Sequence, residues 1–136
     1  MLVDTNILIY AINLDSPKNK PAQLFLQKNI AELLVAHQNI FEALRVLTHP
    51  KFPHPMTTSN AIEAIKGITD VCRIIGPDYK THSIALELIE KYSLSTDRVF
   101  DGYLAATAIS NGISTIATDN TKDFKNFGIK LFNPFT

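Results

Sequence analysis

Four acidic residues stand where a solvated acid has no reason to be. Asp4 closes the apolar pair Leu2-Val3, and Glu42 lies between Phe41 and Ala43. Asp101 falls within Val99-Phe100-Asp101-Gly102-Tyr103-Leu104, and Asp119 follows Thr115-Ile116-Ala117-Thr118. A carboxylate buried among apolar neighbours is costly unless it is paired. Two carboxylates 4 Å apart repel by about 4 kcal/mol at an intermediate effective dielectric, so four in one pocket require a cation. Hard oxygen donors without a His or Cys cluster favour Mg²⁺ or Mn²⁺ over zinc. Asp123, four residues after Asp119, could share or replace its role as a ligand. Such a centre can orient and activate a water and offset negative charge that builds on a bound substrate.

The neighbours of these acids suit supporting roles. Thr5, Asn6, Thr118 and Asn120 adjoin them, and Asn39 lies on the same helix face as Glu42, so their side chains could orient carboxylates. Arg45, Lys51, Arg98, Lys122 and Lys125 are cations near the acids, available to phosphates. Simpler roles exist for each acid. Asp4 could cap the helix that follows it. Glu42 could pair with Arg45, and Asp101 could be a first-turn helix acid, a role that Asp97 suits better. Asp123 could likewise be a helix N-terminal acid. Asp70, Glu63, Glu87 and Glu90 fall between apolar helical positions and read as solvated faces. His49 and His54 read as loop surface, and Cys72 as inert core.

The elements that must position the acids alternate. Leu2-Val3 is a strand, Ser16-Pro17 opens a helix carrying Ala22, Phe25, Leu26 and Ile30, and Leu33 to Ala36 is a second strand. Phe41, Leu44 and Leu47 predict the apolar face of the next helix, which ends before Pro50, and Pro50 to Pro55 is a loop. Ala61, Ile65, Ile68 and Cys72 form one helical stripe, and Ile84, Leu88, Ile89 and Tyr92 another. Tyr103 to Ile109 is an alanine-rich helix stopped by Asn111-Gly112. Thr115 to Thr118 reads as the third strand and Lys130 to Phe132 as the last. Strands alternating with helices predict an α/β fold with a mostly parallel central sheet. Asp4 and Asp119 then stand at the carboxyl ends of strands, the edge where open parallel sheets bind ligands.

Composition bounds the rest. The chain has 136 residues, 46% hydrophobic and 19% charged, which predicts a single folded domain over residues 1–136 and excludes disorder. Thirteen basic and 13 acidic residues cancel, so a strongly basic, sequence-blind nucleic-acid binder is excluded. Cys72 is the only cysteine, which rules out an intrachain disulfide and suits a reducing compartment. No apolar run approaches a membrane span, and no basic-then-apolar leader opens the chain. The expectation is a cytoplasmic protein with no membrane partner.

Four segments, in order, carry a family resemblance. Leu2-Val3-Asp4-Thr5-Asn6-Ile7-Leu8 resembles the opening motif of PIN-domain nucleases, and Asn39-Ile40-Phe41-Glu42-Ala43-Leu44-Arg45-Val46-Leu47 their second acidic motif. Phe100-Asp101-Gly102-Tyr103-Leu104-Ala105-Ala106-Thr107-Ala108 resembles the third and Thr118-Asp119-Asn120-Thr121-Lys122-Asp123-Phe124 the fourth. Order, spacing and length are similar to those of small VapC-type toxins. The resemblance implies a three-layer α/β/α fold and a Mg²⁺-dependent endoribonuclease acting on RNA. It also implies a homodimer and a cognate antitoxin, with Asp4, Glu42, Asp101 and Asp119 as catalytic metal ligands. Surplus apolar surface on the helices would meet a second copy or an antitoxin helix. The chain departs from the pattern at His37, where many relatives carry a small hydroxyl residue. A haloacid-dehalogenase-like phosphatase needs a second Asp two residues after the first, where this chain has Asn6. A non-catalytic PIN-like binding module would have lost acids, and none is missing. A non-toxin PIN nuclease, acting in RNA processing or on DNA, is the alternative.

Overall fold

The computed structural model describes residues 1–136. Five short strands form one sheet: β1 (Leu2–Val3), β2 (Leu34–Ala36), β3 (Arg73–Ile75), β4 (Thr115–Ala117) and β5 (Lys130–Phe132). Their order is β3-β2-β1-β4-β5, and every pairing is parallel. Register places Leu2 beside Leu34 on one side and beside Ile116 on the other. Six helices connect and cover the strands: α1 (Thr5–Ile12), α2 (Asn19–Asn29), α3 (His37–Thr48), α4 (Thr58–Thr69), α5 (Thr81–Lys91) and α6 (Arg98–Ser110). The longest has 13 residues, and no helix is long and apolar enough to cross a membrane.

The two-residue period of the strands sorts side chains into two cores. Leu2, Leu34, Ala36 and Ile116 face one way and meet Leu104, Ala105 and Ala108 of α6 together with Leu94, Phe124 and Phe127. Val3, Val35 and Ala117 face the other way and meet Ile7, Leu8 and Ala11 of α1 and Ala22, Phe25 and Leu26 of α2. A smaller core joins Ala43 and Leu47 of α3 to Ala61 and Ile65 of α4. Helices on both faces of a parallel sheet make the expected three-layer α/β/α arrangement. Gly102 lets α6 approach α5: a Cβ there would stand 3.0 Å from Leu94 Cδ1 and 3.1 Å from Ile89 Cγ1.

Several expectations need correction. The edge strand β3 was hidden because Arg73 and Ile74 are exposed and only Ile75 is buried, so neither alternation nor a buried run marks it. Thr115–Ala117 is therefore the fourth strand. Helix α2 begins at Asn19, not at Ser16-Pro17, because the Ser16 hydroxyl accepts from the Lys18 N–H at 3.1 Å and closes a turn before the helix starts. Phe41 is 67% exposed. The inner face of α3 is Asn39, Ala43 and Leu47, a four-residue spacing from which Phe41 lies about half a turn away. Cys72 lies beyond the end of α4 and is half-buried against the α1–α2 core.

Candidate functional site

The strand order reverses direction between β1 and β4, and in parallel sheets the crevice beyond such a point is the usual ligand site. Asp4 and Thr118 follow those two strands directly. The Thr118 hydroxyl donates to Asp4 Oδ2 at 2.8 Å across the crevice, and the Thr5 N–H donates to Asp4 Oδ1 at 2.8 Å. Asp4 thus is the N-cap of α1, as its simpler reading anticipated, and both of its carboxylate oxygens are held by hydrogen bonds. Thr118 is fully buried, and its oxygen also accepts from the Asn120 N–H at 3.0 Å and from Asn6 Nδ2 at 3.4 Å. Asn39 is fully buried too. It accepts from the Ala36 N–H at 3.1 Å and donates to Thr5 Oγ1 at 3.0 Å, locking the start of α3 to the start of α1.

Glu42 reaches the same region from α3, and Asp101 from α6. Gln38, one turn before Glu42, donates to Glu42 Oε1 at 2.5 Å and to the Phe100 carbonyl at 2.8 Å. It therefore ties the two acid-bearing helices together. Sequence reading passed over Gln38, although its four-residue spacing from Glu42 was a usable signal. Arg98 donates to Asp101 Oδ2 at 3.4 Å and to the Asp123 carbonyl at 2.7 Å, and lies 3.7 Å from Asp123 Oδ1. The result is an open cleft of about 690 Å³ whose lining includes Gln38, Glu42, Arg45, Arg98, Asp101 and Asp123.

The electrostatics mark these acids as one group. Burial raises the Asp4 carboxyl to a pKa of about 6, with Glu42 and Asp123 adding repulsion. Burial also raises Asp101 to about 6, and Asp123 and Asp4 add to it. Glu42 is raised by burial and then by Asp101. The repelling set is thus Asp4, Glu42, Asp101 and Asp123. Asp119 stands apart: its carboxylate is ion-paired with Lys18 and accepts from the Tyr10 hydroxyl at 3.0 Å. The hydrogen bond from Lys18 holds its pKa below the ordinary carboxylate value. Tyr10 and Lys18 lie 109 and 101 residues from Asp119 in sequence, and nothing in composition or spacing pairs them with it.

No three of the carboxylates close around a common point as they stand, and Asp4, Glu42 and Asp101 each accept from a protein donor. The donor set nevertheless fits a hard divalent cation. Glu42, Asp101 and Asp123 line one opening, the buried Asp4 carboxyl is coupled to all three, and no His or Cys side chain is among the lining residues.

The remaining expected residues separate. Arg45 and Arg98 line the cleft; Lys51, Lys122 and Lys125 are exposed and outside its lining. Asn120 Nδ2 donates to Asp123, and the Asp119 N–H donates to Asn6 Oδ1 at 3.4 Å. His37 opens α3 with its ring over Gly76, where a Cβ would fall 2.7 Å from His37 Cε1. Asp70, Glu63, Glu87, Glu90, His49 and His54 are exposed, as expected.

Known proteins agree with this architecture. The profile of the PIN domain matches residues 1–130. Ribonuclease VapC24 of Mycobacterium tuberculosis is 27% identical over 139 aligned residues, covering 98% of this chain and 96% of that protein. The solved VapBC2 of Rickettsia felis, bound to a DNA fragment from its promoter, superposes with a TM-score of 0.74 at 21% identity, covering 97% of this chain and 96% of that one. Mycobacterium tuberculosis VapC20, a toxin that cleaves the sarcin-ricin loop, superposes with a TM-score of 0.72 at 15% identity, covering 93% and 95% of the two chains. With a family profile spanning nearly its whole length, this chain belongs to the PIN domain family.

Proposed function

We propose that this chain is a divalent-metal-dependent endoribonuclease, the toxin of a toxin–antitoxin pair. The observation that carries the proposal is the open cleft that places Glu42, Asp101 and Asp123 beside Arg45 and Arg98, with the buried Asp4 at the reversal point of the sheet electrostatically coupled to those three acids. Those carboxylates would hold Mg²⁺ or Mn²⁺, with Asp119 a neighbouring acid held by Lys18. A divalent ion there supplies Lewis acidity and offsets the charge that builds on the phosphate during hydrolysis. Thr5 and Thr118 fix the Asp4 carboxylate, Gln38 fixes Glu42, and Arg98 fixes Asp101 against Asp123. Arg45 is the cation left free to meet a substrate phosphate.

The relatives named as a ribonuclease and as a toxin support the RNA substrate and the toxin role, and with that role an antitoxin. An apolar groove lined by Ala11, Ile12, Leu26, Ile30, Ile68 and Val71 suits the apolar face of an antitoxin helix, and a homodimer follows the family pattern. Expression of the chain alone should arrest growth. Asp101→Asn, or co-expression of the adjacent small gene, should relieve the arrest. Harmless expression of a chain that cleaves RNA when purified would remove the toxin role and leave a processing nuclease.

A further inference from the structure

Two exposed aromatic rings flank the acids of the cleft. Phe41 is 67% exposed and Phe100 56% exposed, and neither belongs to the three apolar clusters. The chain's ring–ring contacts are Tyr10–Phe135, Phe25–Phe132, Tyr92–Phe127 and Phe124–Phe127, so neither exposed ring is stacked internally. Both line the acidic cleft, and they are its only two hydrophobic lining residues. Each immediately precedes a carboxylate of the site, Phe41 before Glu42 and Phe100 before Asp101. Gln38 bridges Glu42 and the Phe100 carbonyl, so the two ring-bearing turns are linked to each other and to the acids.

We propose that Phe41 and Phe100 form a stacking platform for unpaired bases of the RNA on either side of the scissile phosphate; the assignment rests on the endoribonuclease reading. Three considerations favour RNA as the occupant. Isolated rings among charged residues match single-strand recognition, in which bases stack on aromatic faces while cations meet phosphates. The core of a protein–protein interface is instead depleted of charge, whereas here the rings sit with Glu42, Arg45, Asp97, Arg98, Asp101 and Asp123. The chain has no net charge, and Arg98 is engaged by Asp101 and Asp123, so phosphate contacts alone leave little affinity. Stacking supplies what electrostatics lack, and it selects unpaired bases, because bases within a duplex already stack on one another.

The test is fluorescence anisotropy of a labelled mixed-sequence oligoribonucleotide, single-stranded and as a perfect duplex, with Ca²⁺ in place of Mg²⁺. It is run on wild type, Phe41→Leu, Phe100→Leu, Phe41→Tyr and Phe100→Tyr, with sedimentation for oligomeric state. The leucine variants keep bulk and lose the π-face; they should weaken single-strand binding on the order of tenfold each, while the tyrosine variants bind like wild type. Wild type should prefer the single strand to the duplex. Leucine variants that bind like wild type, with RNA cleavage by wild type intact, would overturn the platform alone. Equal loss in the leucine and tyrosine variants, or loss that tracks dissociation of a dimer, would also overturn it and make the rings structural or a contact between copies. Wild type that neither binds nor cleaves RNA would remove the ribonuclease reading along with the platform.

Discussion

Replacing Asp4 by Asn in the metal-free protein should change stability with opposite signs at low and neutral pH. The Asp4 carboxyl is raised from its ordinary 3.8 to about 6, chiefly by burial. That rise corresponds to roughly 3 kcal/mol by which the ionised form is less favourable in the folded chain than in the unfolded one. The folded state therefore holds its proton longer. The stability this gives is complete below the unfolded value and is lost as pH rises through about 6. Asn is neutral throughout and does not lose it. Asn also has a cost. It keeps one acceptor, enough for the Thr5 N–H, but turns an amide toward the Thr118 hydroxyl, whose oxygen already accepts from Asn120 and Asn6. A spoiled buried hydrogen bond costs about 1–2 kcal/mol. Near pH 7.5 with EDTA, Asp4→Asn should thus be more stable than wild type by about 1–2 kcal/mol, and near pH 4 less stable by a similar amount. Urea denaturation at both pH values measures the difference, and equal slopes of the transition would show that compactness is unchanged. Equal destabilisation at both pH values would refute the reasoning, because it would show that burial of the charge carries no cost.

Other outcomes follow from the same geometry. Mg²⁺ or Mn²⁺ should raise the melting temperature of wild type, because a ligand that binds only the native state stabilises it, and Asp4→Asn with Asp101→Asn should abolish the response in a thermal melt. Asp123→Asn should lower the rate of RNA cleavage at least about tenfold more than Asp119→Asn, since Asp123 couples to Asp101 while Asp119 is committed to Lys18; equal losses in single-turnover kinetics would return Asp119 to the ligand set. Ser93 follows the end of α5 with φ 50, and its N–H and that of Leu94 donate back to Glu90 and Ile89. This is the left-handed helix end that favours glycine, so Ser93→Gly should raise unfolding stability by about 0.5–1 kcal/mol, read by urea denaturation.

The parts of this architecture that were legible in the sequence are those where apolar periodicity and burial coincide. Leu2-Val3 and Leu34 to Ala36 are buried central strands, Thr115 to Ala117 is buried apart from its half-buried first residue, and the positions of Asp4 and Asp119 past the first and last of these follow from the chain direction. The illegible parts involve contacts between distant segments or solvent-facing apolar residues. Strand β3 is an edge strand with two exposed residues, so its pairing with β2 leaves little trace in local pattern. Phe41 reads as core by residue type alone and is exposed because Asn39, a polar residue with two buried hydrogen bonds, takes an inward position on α3. The ion pair that sets Asp119 apart from the other acids comes from Lys18, which meets it across 101 residues of chain. A four-residue interval between two acids cannot by itself say which of them will find a cation.

The central claim, that Asp4, Glu42, Asp101 and Asp123 hold a divalent ion that cleaves RNA, meets its most direct test in one cleavage time course. Purified chain is incubated with end-labelled RNA in Mg²⁺, in EDTA, and in EDTA followed by excess Mn²⁺, with Asp101→Asn alongside. The account predicts cleavage in Mg²⁺, none in EDTA, recovery with Mn²⁺, and loss of about a hundredfold or more in the folded variant. Undiminished cleavage in EDTA, or full activity in Asp101→Asn, would contradict it.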